Sequence, residues 1–246
     1  MHILCTNDDG YLASGLRVLS TAARPLGRIT IVAPDREQSA TSHSLTLHHP
    51  LRARKAGETF VVDGTPTDCV ILALNALVDE RPTFCLSGVN HGANMGEDVL
   101  YSGTVAAAME ATVLGVPAIA LSYAGRDIEA IEGWETPLSG LLETLVRPFP
   151  AATLLNVNLP PIPPSEVRGI RVTTLGQRRY SDSLTRSRDP MGREYFWIGG
   201  GRRKWSGGDD SDFRAIDEGF ISVTPLHLDL TNHDLLEEIR GWELTL

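Results

Sequence analysis

The sequence predicts a three-layer α/β/α fold built on a mostly parallel, doubly wound, Rossmann-like sheet. Three observations lead there. Short apolar runs without polar alternation, such as Ile3-Leu4-Cys5 and Ile29-Thr30-Ile31-Val32-Ala33, read as strands buried on both faces. Segments with apolar residues at helical spacing separate these runs, so strand and helix alternate through the first two-thirds of the chain. The first run ends abruptly in Asp8-Asp9-Gly10, at the carboxyl end of a strand, where open α/β sheets bind their ligands. Two touching carboxylates repel each other and need a cation or a shared proton at neutral pH. A hard divalent cation is the simpler remedy.

Taken in order, Leu16, Val18, Leu19, Ala22, Ala23 and Leu26 recur at helical spacing, and Pro25 with Gly27 closes that helix. The β-branched run Arg28–Pro34 is a second parallel strand ended by proline. Its carboxyl end feeds a loop over residues 35–44 that carries Ser39, Thr41, Ser42, His43 and Ser44, and hydroxyl oxygens are acceptable ligands for a hard cation. Residues 44–54 and 59–63 alternate loosely about Gly57 and suggest a hairpin. Thr65-Pro66-Thr67-Asp68 then opens a helix: Thr65 caps it, Pro66 suits the first turn, and Asp68 complements the positive end of the dipole as a structural group. Residues 69–78 supply its apolar face.

Residues 84–87 read as a short central strand. It delivers Gly88-Val89-Asn90-His91-Gly92-Ala93-Asn94-Met95-Gly96, three glycines four apart with two asparagines between them. The spacing is neither the dinucleotide fingerprint nor a P-loop. Asparagine amides offer a carbonyl to a metal and N–H donors to an anion. Tyr101-Ser102-Gly103-Thr104 precedes an alanine-rich helix that ends at Gly115. The unpaired N–H groups of its first turn, with the Ser102 and Thr104 hydroxyls, make an anion site suited to phosphate. Residues 117–123 form another strand, 136–146 a helix, and 153–157 and 169–175 further strands. Over 176–218 the character shifts. Arg178, Arg179, Arg186, Arg188, Arg193, Arg202, Arg203 and Lys204 gather around Tyr195-Phe196-Trp197-Ile198, a projecting arm with an aromatic hairpin suited to a partner subunit. Residues 220–223 return as a strand, and Thr231 or Asn232 caps a last amphipathic helix through Trp242.

A chain of 246 residues with 42% hydrophobic content can bury one full core, and a single domain over 1–246 is expected. The formal net charge of −9 argues against a protein that coats nucleic acid or a membrane surface. Cys5, Cys69 and Cys85 are odd in number, far apart and set in apolar runs, as in a reduced cytosolic protein. No signal peptide and no apolar run of about 18 residues is present, so a soluble, cytoplasmic protein is expected.

Thr6-Asn7-Asp8-Asp9-Gly10, Val32-Ala33-Pro34-Asp35 with Gln38-Ser39, Gly64-Thr65-Pro66-Thr67-Asp68-Cys69-Val70, the segment from Ser87 to Gly96, Tyr101-Ser102-Gly103-Thr104-Val105, and the segment from Gly219 to Leu226 together resemble the SurE family of stationary-phase survival proteins. They span nearly the whole chain in order. The resemblance implies a SurE-like fold and a metal-dependent 5′-nucleotidase, also acting on 3′-nucleotides and short polyphosphate. It implies one divalent ion per subunit, Mg²⁺ or Mn²⁺, on Asp8, Asp9, Ser39 and Asn90, and phosphate contacts from Asn94, Ser102, Gly103 and Thr104. It also implies a homodimer or homotetramer joined through the C-terminal arm and helix. The chain departs from the family at Ala40, where some members have glycine, and at Ala111, where glycine is common, and His91 stands at a variable position.

Asp8 and Asp9 are the catalytic candidates, with Asp9 the preferred proton acceptor. Three other readings stand beside this one. A covalent-aspartate phosphatase needs D-x-D, whereas these aspartates are adjacent. A phosphoacceptor receiver module needs a lysine after a late strand, and Lys55 and Lys204 are the only lysines. A polyphosphate-binding oligomer would use the basic arm.

Overall fold

The computed structural model describes residues 1–179, 184–198, 204–242 and 244. The opening run is strand β1 (His2–Thr6), buried at every position. Its side chains alternate between two cores, as an unbroken apolar run in mid-sheet must. Ile3 and Cys5 join a cluster with Leu16 and Leu19 of α1 (Ser14–Ala23) and Leu138 and Leu142 of α4 (Glu135–Leu145). Leu4 joins the opposite cluster, with Cys69 and Val70 of α2 (Pro66–Leu72) and Ala107 and Ala108 of α3 (Gly103–Val113). These are the two helical layers of a three-layer α/β/α fold.

The other strands of the main sheet are β2 (Arg28–Pro34), β3 (Ala53–Ala56), β4 (Thr59–Val62), β5 (Phe84–His91), β6 (Ala118–Tyr123), β7 (Thr153–Leu159), β8 (Ile170–Val172) and β13 (Ile221–His227). Among the described residues they line up as β3-β4-β2-β1-β5-β6-β7-β13-β8. Pairing is parallel from β4 through β7. β3 runs antiparallel to β4, and β13 antiparallel to β7.

Several expectations need correction. The hairpin about Gly57 forms, but its first strand covers only β3. Residues 44–52 are irregular, because their polar groups go to side chains instead: Thr46 and Arg52 donate backbone N–H groups to Asp68 and Asp63. β5 does not stop at Ser87; it shifts register between Ser87 and Asn90 and pairs with β6 as far as His91. The strand expected over 169–175 shortens to β8.

The arm is two antiparallel ladders outside the main sheet, β9 (Gln177–Arg179) with β12 (Lys204–Ser206), and β10 (Leu184–Arg188) with β11 (Glu194–Ile198). Arg202 and Arg203 lie outside the described residues. α5 (Asp212–Asp217) leaves the arm and buries Phe213, Ala215 and Ile216 in the body. α6 (His233–Arg240) is capped by Asn232 and buries none of its residues. All three cysteines are buried and free. Among the described residues no helix is long and apolar enough to cross a membrane.

The cap of α2 forms as a reciprocal box. The Thr65 hydroxyl accepts from the Asp68 N–H, and Asp68 accepts from the Thr65 N–H at 2.9 Å. Asp68 also accepts from the Thr46 N–H and hydroxyl, at 3.0 and 2.6 Å, so it fastens the irregular 44–52 segment to the helix. Asp68→Ala leaves three donors without an acceptor beside a fully buried site, and denaturant unfolding should show a loss of about 2–4 kcal/mol.

Candidate active site

β1 lies where the chain turns two ways. α1 carries it to β2 across one face, and α2 brings β4 to β5 across the other, so the carboxyl end of β1 is a switch point of the kind at which open α/β sheets bind ligands. Asn7, Asp8, Asp9 and Gly10 follow directly on that strand end. The turn is held by the Asn7 amide donating to the Gly10 carbonyl at 2.9 Å and by the Tyr11 N–H donating to Pro34 at 2.9 Å. Gly10 takes a φ of +94°, which side chains other than glycine rarely adopt.

Each partner segment predicted from the sequence is hydrogen-bonded to the acidic pair, two of them through a backbone N–H and α3 through both the N–H and the hydroxyl of Thr104. The Asp8 carboxylate is buried, accepting the Thr104 N–H at 3.1 Å and, on its other oxygen, the Thr104 hydroxyl. The Asp8 carbonyl accepts the Gln38 N–H at 2.7 Å, which fixes the loop after β2. Asp9 accepts the His91 N–H at 3.1 Å, which fixes the end of β5. Thus α3 does hold an anion at its start, but that anion is Asp8. Thr104 serves Asp8, and Ser102 caps α3 by accepting from the Val105 N–H at 3.1 Å. Among the described residues, the N–H groups of Ser102 and Gly103 donate to no protein acceptor.

Asn90 is half-buried, with its amide N–H on the Gly92 carbonyl at 2.8 Å. Ser39 is exposed, and its hydroxyl donates to Glu37 at 2.6 Å; no hydrogen bond ties it to either aspartate. Its loop is anchored elsewhere: Ser42 donates to the carbonyls of Leu100 and Tyr101, and His43 Nε2 lies 2.8 Å from Glu110. Ala40 sits at a φ of +56°, a left-handed conformation that explains why glycine suits this position. The His91 ring lies 2.7 Å from the Arg126 carbonyl and is exposed.

Burial pushes the Asp8 carboxyl above the usual carboxylate range, against the pull of its two Thr104 bonds. Asp9 is pushed up to about 6, by burial first and by the charge of Asp8 second. Among the described residues no lysine, arginine or histidine pairs with either. Two adjacent carboxylates, one buried and one half-buried, with no cationic side chain paired to them among the described residues, form a hard oxygen donor pair that suits a divalent cation.

Asn94 is held by side chains the sequence did not single out. Its N–H donates to Asn158 at 2.9 Å, and its carbonyl accepts from the amides of Asn156 and Asn158. Its own amide meets the Ser122 hydroxyl at 2.9 Å. That hydroxyl can accept from the amide nitrogen or donate to its oxygen, and the second arrangement turns the NH₂ group toward an anion. Asparagines twice in the buried strand Leu154-Leu155-Asn156-Val157-Asn158 run against strand propensity, and that was the available signal.

The family model described as "Survival protein SurE" matches residues 3–182. A protein named 5′-nucleotidase SurE from Gemmatimonas aurantiaca is 60% identical, with 98% of each chain covered. One of the same name from Methylococcus capsulatus is 51% identical over 98% of this chain and 97% of that protein. The crystal structure of SurE protein from Aquifex aeolicus superposes with a TM-score of 0.85 at 41% identity, covering 98% of each chain. With the acidic strand end, the capping box and the glycine-rich segment all inside the matched span, the chain belongs to the SurE family.

Proposed function

We propose that this protein is a divalent-metal-dependent phosphatase that hydrolyses nucleoside 5′-monophosphates to nucleoside and phosphate. The observation that carries the reading is the Asp8-Asp9 pair, one buried and one half-buried, with no cationic partner among the described residues and hydrogen-bonded to the loop after β2, the end of β5 and the start of α3. Full-length relatives at 60% and 51% identity named 5′-nucleotidase SurE support the substrate class.

Asp8, Asp9, Ser39 and Asn90 would hold one Mg²⁺ or Mn²⁺. Bound there, the ion supplies Lewis acidity toward a phosphoryl oxygen and lowers the pKa of a water. The Thr104 bonds keep Asp8 in one orientation and leave lone pairs on both oxygens. Asp9, with one oxygen on the His91 N–H, has its other oxygen available to accept the proton of the attacking water. The free N–H groups of Ser102 and Gly103 and the Asn94 amide receive phosphoryl oxygens and stabilise charge as it develops. The covalent-aspartate alternative lacks its D-x-D spacing, because Asp8 and Asp9 are adjacent.

The arm supports assembly as a homodimer or homotetramer. Phe196, Trp197 and Ile198 of β11 are exposed, and α6 buries none of its residues. The free, buried cysteines agree with a cytoplasmic setting.

The test is phosphate release from 5′- and 3′-nucleotides, short polyphosphate and simple phosphate esters, with Mg²⁺, Mn²⁺ or EDTA. Release from 5′-nucleotides that EDTA abolishes and added metal restores is the expected result. Equal turnover in EDTA, or a trapped phosphoenzyme, would overturn the reading.

A further inference from the structure

Asp212, at the first position of α5, is fully buried, and among the described residues it pairs with no cation. Three backbone donors converge on it. One carboxylate oxygen accepts the N–H groups of Gly176 and Phe213, at 2.9 and 2.8 Å. The other accepts the N–H of Gly96 at 2.8 Å. A single side chain therefore joins the last glycine of the asparagine-bearing segment, the residue before β9, and the start of α5.

The contacts around it reinforce that junction. Gly96 takes a φ of +53°, and a Cβ there would lie 2.6 Å from the Gly176 carbonyl oxygen, so the two backbones touch. Met95 packs into a small apolar cluster with Phe213 and Ile216, and Trp205 of β12 stacks on Phe213 with ring centroids 3.6 Å apart. β9 begins directly after Gly176 and β12 contains Trp205, so the root of the arm forms the wall against which this segment rests. Asn94 is fixed from the β7 side by Asn156 and Asn158; Gly96 is fixed from the α5 side by Asp212.

We infer that Asp212 is a positioning residue for phosphate binding: by locking Gly96 it seats Asn94 against the substrate and couples that seat to the root of the arm. The inference rests on the reading of Asn94 as a phosphoryl contact. Asp212 acts through backbone and touches neither Asp8 nor Asp9, so it governs how tightly phosphate is held rather than how the metal is held.

Asp212→Asn separates these roles. Asparagine keeps one acceptor oxygen, and two of the three donors, Gly176 and Phe213, share one oxygen in the parent. Asparagine therefore places its oxygen there and turns its NH₂ group toward the Gly96 N–H, donor against donor, which releases Gly96 alone. With AMP as substrate, KM should rise roughly tenfold while kcat changes less than about threefold. Inhibition by inorganic phosphate should weaken by the same roughly tenfold factor. The Mn²⁺ concentration for half-activation should stay within about threefold of the parent.

An unchanged KM and phosphate inhibition would overturn the inference, as would a proportional fall of kcat, metal activation and affinity together. If Asp212→Asn does not fold, Asp212→Ser, which keeps a hydroxyl acceptor, is read in the same way. If neither folds, the residue is structural and the inference fails. Failure of the underlying function looks different, because the parent itself would then release no phosphate from any nucleotide.

Discussion

Asp9→Asn should give a protein that is inactive yet, in the absence of metal, more stable than its parent. The two effects share one cause. Asp9 is mostly buried beside a second carboxylate, and its pKa is pushed from the ordinary 3.8 up to about 6. A carboxylic acid whose folded-state pKa is raised binds its proton more tightly folded than unfolded, so its ionisation opposes folding. The penalty is absent below pH 3.8, builds as the pH rises toward 6, and is complete above that. Its size at neutral pH is at most about 3 kcal/mol, since each pKa unit is worth about 1.4. Asparagine removes the charge while its carbonyl oxygen can still accept the His91 N–H. In EDTA, denaturant unfolding should find Asp9→Asn more stable at pH 8 by up to about 3 kcal/mol, with the advantage fading toward pH 4. Added Mg²⁺ should narrow the gap by stabilising the parent, because a ligand that binds only the folded state stabilises it by mass action. Activity should fall by about 10³-fold or more, the loss expected when several kcal/mol of transition-state stabilisation are removed. A variant less stable than the parent at pH 8 in EDTA would mean that Asp9 is compensated inside the protein and has no need of a cation.

How much of this could be read from the sequence depended on how far each cause reaches along the chain. β1, β2 and the box at Thr65 and Asp68 are set by residues within a few positions of one another, and the structure places them where local patterning put them. The start of α3 was equally legible as an anion site, because capping and exposed N–H groups are local properties. Which anion it holds was not. The Thr104–Asp8 bonds join residues 96 positions apart, and no local pattern reports such a distance. The same holds for Asp212, whose bond to Gly96 spans 116 positions, and for Asn158, whose bond to Asn94 spans 64. The residues expected to touch metal and phosphate announce themselves by chemistry out of keeping with their surroundings. The residues that hold them in place are defined by partners that only the folded chain supplies.

Gly103→Ala tests that dependence where α3 passes Asp8. Replacing glycine by alanine inside a helix ordinarily stabilises it, by about 1 kcal/mol. Gly140 in α4 should behave so, because a Cβ built there meets nothing within 4 Å; Gly140→Ala should gain about 0.5–1 kcal/mol and leave activity unchanged. At Gly103 the sign should reverse. A Cβ there would lie 2.9 Å from Asp8 Cβ, 3.0 Å from Asp8 Oδ2 and 3.2 Å from Pro66 Cγ, in a region already filled. Pro66 is anchored in the first turn of α2 and β1 is held inside the sheet between β2 and β5, so the group that must move is the Asp8 carboxylate. That movement breaks its bonds to Thr104 and costs about 1–3 kcal/mol of overpacking. Activity should fall by about 10²-fold, the usual consequence of displacing a reacting group by about an ångström. More metal should be needed to reach half-activation, which distinguishes a shifted ligand from a general loss of fold. Full activity with parental metal dependence would show that the Asp8 carboxylate can shift without consequence, and the tight fit of Asp8 between α2 and α3 would then have no part in catalysis.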